Sequence, residues 1–159
     1  MELARRVWHK AAQRDDLYLQ IDGMLRRIRH ERGSAADLLD FKTGTGGVIE
    51  AEFLVQALQM RAGIWNPQTM GALRELTTQG ILRKEDAALM EKSYMYLRLI
   101  ESALRRWENK SVSSLPVDET EQRKLAKRVG ADNLDLFGQR YREARESIHA
   151  VYSRYFHSR

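Results

Sequence analysis

The sequence predicts an all-α protein, an antiparallel up-and-down bundle of five to six helices, on three observations. Apolar residues recur at spacings of three and four along most of the chain, no stretch alternates apolar and polar as a half-buried strand does, and helix start and stop residues fall between the periodic stretches. With 159 residues, 43% hydrophobic and 31% charged, residues 1–159 read as a single helical domain with room for one core.

Residues 2–32 read as one long helix, with Leu3, Val7, Ala11, Tyr18, Ile21, Leu25 and Ile28 on its stripe, a weak point at Arg14-Asp15-Asp16, and a stop at Gly33-Ser34. A loop to Gly47 follows, then a second helix over about 48–62 carrying Phe53, Ala57 and Met60 on one face and a polar column of Glu52, Gln56 and Gln59. Asn66-Pro67 predicts a third helix from about 67 to 79, because Asn can cap free amides and Pro has no N–H to lose in the first turn; Gly80 closes it. Residues 84–109 make a long helix that is apolar nearly all round and therefore central, with one polar column through Tyr94, Arg98, Glu101 and Arg105. A serine-rich linker runs from Lys110 to Val117. Asp118 followed by Glu121 is a capping box for a fifth helix ending at Gly130. The last helix starts near Asp132, and Leu134, Phe137, Tyr141, Ala144, Ile148, Val151 and Tyr155 form its stripe.

The loop before the second helix is the chemically distinctive stretch. Asp40 to Gln56 reads Asp-Phe-Lys-Thr-Gly-Thr-Gly-Gly-Val-Ile-Glu-Ala-Glu-Phe-Leu-Val-Gln, with Gly44, Gly46 and Gly47 beside Lys42. Glycines feeding a helix permit positive φ and leave amides uncovered, so the turn can hold an anion; Glu50 and Glu52 suit the positive helix end. The equally physical alternative is a tight loop followed by a capped helix. It is not a P-loop, since Lys42 precedes the glycines, nor a dinucleotide fingerprint, since no apolar strand leads into it.

Composition narrows the partners. A net charge of +5 and a pI of about 9.6 raise nucleic acid, yet the 27 basic residues are interleaved with 22 acidic ones. The densest basic cluster, Arg26, Arg27, Arg29 and Arg32, and a second at Lys124, Lys127 and Arg128, read better as solvated helix faces than as a duplex-binding stripe. No apolar run reaches the length of a membrane span and no signal-peptide core is present, so a cytoplasmic protein is expected. There is no cysteine, and His9, His30, His149 and His157 lack partners at metal-ligand spacing. No metal site and no nucleophilic catalysis are expected.

The sequence from Asp40 to Gln56 resembles the Asp-Ile-Lys-x-Gly-x-Gly-Gly-Ile-Arg-Glu-Ile-Glu-Phe-x-x-Gln signature of the glutamine synthetase adenylyltransferase/deadenylase family. Tyr94-Met95-Tyr96-Leu97-Arg98-Leu99-Ile100-Glu101 is similar to that family's Tyr-x-Phe-Leu-Arg-x-x-Glu helix, and Leu115-Pro116, Leu125-Ala126 and Gly130 also fit its pattern. The resemblance covers roughly residues 24–156 and implies the helical substrate-binding domain that follows a nucleotidyltransferase domain. Two arginines of the family pattern are replaced by Thr45 and Ile49, which removes two cations that could meet phosphate.

On that resemblance, the expected function is to position a protein substrate or a nucleotide against a catalytic domain on the same or a separate chain, with glutamine synthetase as a possible target. The expected binding residues are Lys42, Gly44, Gly46, Gly47, Glu50, Glu52 and Gln56, braced by Arg98 and Glu101. The chain has no Gly-Ser followed by Asp-x-Asp on a strand, so the catalytic domain is absent, no cofactor is expected here, and ATP and Mg belong to the missing domain. The alternative is a stand-alone interaction bundle that has lost the chemistry.

Overall fold

The computed structural model describes residues 2–32, 37–108 and 112–157, so the Gly33-Ser34 stop and the start of the linker at Lys110 lie outside the described residues. Among the described residues there are seven helices and no strand: α1 (Glu2–Ala12), α2 (Leu17–Arg32), α3 (Val48–Ala62), α4 (Thr69–Thr78), α5 (Lys84–Glu108), α6 (Glu119–Arg128) and α7 (Leu134–Phe156). The all-α expectation holds, with a higher helix count.

The extra helix comes from residues 2–32, which form two helices rather than one. The chain turns where the apolar stripe is interrupted: Arg14 N donates to Ala11 O, Leu17 N to Arg14 O, and the Asp16 carboxylate takes the Arg14 guanidinium and the Gln20 amide. An aspartate placed to receive groups from its own turn favours a helix start over a helix interior. The third predicted helix begins at Thr69 because Asn66 Oδ1 accepts from Gln68 N one turn earlier, and the last begins at Leu134 with Asn133, not Asp132, as its cap. Asp118 caps α6, its Oδ1 accepting from Glu121 N at 3.0 Å, but the box is half formed: the Glu121 carboxylate takes Lys124 Nζ at 2.7 Å.

α5 is central, as its composition predicts. Met90, Leu97 and Ile100 are fully buried, each worth about 1.5–3 kcal/mol relative to exposure. α5 packs on α7, α4, α3 and α6, while α7 also packs on α3 and α6. α1 lies on α3, and Trp8 meets Trp65, just after the end of α3, edge to face with ring centroids 5.1 Å apart. The loop before α3 is tied to the segment after α5: Asp40 and Ser114 form an isolated antiparallel bridge, and Leu115 N donates to Leu39 O at 2.8 Å. That tie fixes the signature loop against the end of the central helix.

Candidate functional site

The loop from Asp37 to Gly47 is built around its own amides. The buried Asp40 carboxylate accepts from Lys42 N at 3.0 Å, from Thr43 N at 2.7 Å and from the Thr43 hydroxyl. Gly44 N donates to Asp40 O, Gly47 N to Gly44 O, Thr45 N to Asp37 Oδ1, and Gly46 N to Glu50 Oε2. The first amides of α3 are spent in the same way, Val48 N on Phe41 O and Ile49 N on Lys42 O.

This corrects the expectation of an anion-holding glycine turn. Each of these amides already has an internal acceptor, so the loop offers no uncovered N–H set to a phosphate. The three glycines are buried and serve close packing. A Cβ on Gly46, whose φ is +70°, would stand 2.0 Å from Arg145 O, and one on Gly44 would stand 2.7 Å from Arg145 Nη2.

Arg145 is the clamp that holds the loop down. It is buried on α7 and donates from Nε to Thr45 O at 2.9 Å, from Nη1 to Leu38 O at 2.7 Å and from Nη2 to Asp37 Oδ2 at 3.2 Å. Tyr141, one turn earlier, donates to the same Leu38 carbonyl, and burial pushes its phenol up to about 12. Neither residue is marked by the sequence, which separates Arg145 from the loop by about a hundred positions; only the apolar rhythm of α7 brings that helix to the core.

The predicted binding residues divide between two environments. Glu50 is fully buried. Besides the Gly46 amide, its carboxylate pairs with the Arg29 guanidinium from α2 and lies 2.7 Å from His149 Nδ1 on α7. Burial first, then the Arg29 charge, lower the His149 pKa below its ordinary value despite the neighbouring carboxylate. Against a carboxylate, which only accepts, His149 Nδ1 is the donor of this pair. Glu50 is thus an internal tie between three elements rather than a presented contact.

Lys42, Glu52, Arg98 and Glu101 lie instead along the α3–α5 side of the molecule. Glu101 is buried and takes Lys42 Nζ at 3.4 Å and Arg98 Nη1 at 2.7 Å, while the lysine and arginine side chains keep about a third and nearly half of their surface in solvent. Glu52 accepts from Tyr94 OH at 2.9 Å. The polar column predicted on α5 is therefore joined across to α3. Gln56 is exposed one turn beyond Glu52, beside a cavity of about 180 Å³ that Trp8 and Trp65 also line. Glu101 is thus shared by Lys42 and Arg98.

The basic cluster on α2 is divided: Arg29 turns inward to Glu50, Arg26 pairs with Asp22 at 2.6 Å, and the Arg32 side chain lies outside the described residues. Among the described residues no group of three or more His, Asp or Glu is placed to hold a metal ion, and no helix is long and apolar enough to cross a membrane.

Comparison with known proteins finds relatives over most of the chain. The sequence profile of the GlnD PII-uridylyltransferase family matches residues 20–156. Three curated relatives are bifunctional glutamine synthetase adenylyltransferase/adenylyl-removing enzymes. That of Mycobacterium marinum is 37% identical over 123 residues, 73% of this chain and 12% of the relative. The Caulobacter vibrioides enzyme is 31% identical over 122 residues, 74% and 12%, and the Streptomyces avermitilis enzyme 29% over 133 residues, 80% and 13%. The chain spans about an eighth of the length of these relatives. With the match running from within α2 to the end of α7, the chain belongs to the GlnD PII-uridylyltransferase family and is homologous to a helical stretch of the glutamine synthetase adenylyltransferases.

Proposed function

We propose that this chain is the helical domain that positions a protein substrate or a nucleotide against a nucleotidyltransferase catalytic domain, which uses ATP and Mg and is carried on the same or a separate polypeptide. The observation that carries the reading is the half-exposed Lys42–Glu101–Arg98 group beside Glu52–Tyr94, because the family signature and the central helix supply all five residues. A buried carboxylate that holds two cations at the surface prepays their ordering, so they meet a partner at reduced entropic cost. Glutamine synthetase is the target this reading names, and the cytoplasm is where it would work. The clamp on the glycine loop supports it indirectly by fixing Lys42.

The test is binding of the purified chain to a nucleotidyltransferase domain of a relative and, separately, to glutamine synthetase. Changing Lys42→Ala with Glu52→Ala is expected to leave the circular dichroism spectrum unchanged and to weaken docking by about tenfold or more. Equal affinity of the variant would sink the assignment of this face. The second reading, a stand-alone interaction bundle, is favoured by Thr45 and Ile49 at the two positions where the family carries arginine; full affinity for an unrelated protein with none for either candidate would select it.

A further inference from the structure

The exposed side of α5 continues beyond Arg98 into a face that the family signature does not account for. Met95 and Leu99, one turn apart, are 54% and 42% exposed on a helix whose other side is the core. Next to them a shallow groove of about 330 Å³ runs between α5 and α6, lined by Leu99, Ala103, Arg106 and Arg128. Arg105 is exposed on the same helix. Arg106 is exposed and, among the described residues, donates to the Ser102 carbonyl of its own helix at 3.3 Å. Two large apolar side chains one turn apart, with the exposed guanidinium groups of Arg105 and Arg106 further along the helix, form the counterpart of a helix that is apolar on one side and acidic beside it.

We propose that this face of α5, beside α6, docks an acidic amphipathic helix of a partner polypeptide, with apolar side chains over Met95 and Leu99 and carboxylates against Arg105 and Arg106. Charge selects among occupants. A second copy of the chain would set arginines against arginines, and nucleic acid would cover Met95 and Leu99 with phosphates that gain nothing from them. The inference extends the proposed docking role, because the face adjoins Arg98 on the same helix, but it can fail independently of it.

The test is fluorescence anisotropy of the full chain with labelled probe peptides of ~18 residues, about five helical turns. One carries leucines on one face with glutamates beside them, one is its scramble of equal charge, and one replaces glutamate by lysine. A DNA duplex is the fourth probe. The amphipathic acidic peptide is expected to bind at least about tenfold tighter than its scramble or the lysine peptide. Met95→Ser with Leu99→Ser should abolish that preference, and Arg106→Glu should shift it toward the lysine peptide, while Lys42→Ala with Glu52→Ala leaves it intact. Equal binding of peptide and scramble, tighter DNA binding indifferent to Met95 and Leu99, or self-association through this face would each overturn the proposal. Loss of peptide binding in the Lys42, Glu52 variant would also count against it by merging the two faces.

Discussion

Two carboxylates that leave α3 two residues apart lead opposite lives. Glu50 points into the protein, where Arg29, His149 and the Gly46 amide surround it; Glu52 meets Tyr94 near the surface, and Tyr94 lies one turn of α5 before Arg98. Both belong to one short signature and both carry the same charge. A buried ion held by several partners is strongly coupled to folding, whereas half-exposed pairs are solvated in the unfolded chain as well and add little. A signature can therefore combine residues that secure a loop with residues that the secured loop presents.

The largest expected effect breaks the buried side. Replacing Glu50→Ala leaves the Arg29 guanidinium without its carboxylate and should destabilise the fold by about 3–5 kcal/mol, read from urea unfolding. A loss below about 1 kcal/mol would mean that the group is hydrated and that the contrast between the two carboxylates is false. Gly46→Ala follows, because positive φ alone costs about 1–3 kcal/mol and the added Cβ collides with the Arg145 backbone. Gly63→Ala, at a positive φ with open space around it, should cost less than Gly46→Ala by the amount of that collision.

Acid sharpens the same contrast. The folded pKa of His149 lies below its ordinary value, so the unfolded chain binds a proton before the folded one does. The stability that His149 contributes is present above its unfolded pKa of about 6.5 and is lost as pH falls from there toward the lower folded value. Unfolding midpoints measured from pH 8 down to pH 5 should decline less steeply in His149→Gln than in the parent chain. The smallest stability effect belongs to the surface side: Lys42→Ala should cost at most about 1 kcal/mol, since Arg98 still pairs with Glu101. A cost approaching that of Glu50→Ala would place Lys42 among the internal ties.

The helices were legible in the sequence because their signals are local. The bounds of α3 and the cap of α6 follow from residues within a turn of them, and α5 declares itself by being apolar nearly all round. The break at Arg14-Asp15-Asp16 was visible as a weak stripe, but whether a stripe bends or breaks depends on what it packs against. The site was legible by half. Arg98 and Glu101 meet as their column suggested, because i to i+3 spacing fixes neighbours on one helix, whereas the approach of Lys42 to Glu101 spans 59 positions and depends on the folded loop. The inward turn of Glu50 and the closing of the glycine amides were not, because they depend on Arg29, Tyr141, Arg145 and His149, which reach the loop only once the bundle has formed.

The bridge between Asp40 and Ser114 brings the chain past the same point twice, once on entering the segment that carries α3, α4 and α5 and once on leaving it. That segment is thus a module with a single doorway. Exchanged as a block between members of the family, with both crossovers set at the bridge, it would carry the signature, the central helix and both proposed contact faces of α5 into a new background. The recipient would need to match the faces that α1, α2, α6 and α7 turn toward it.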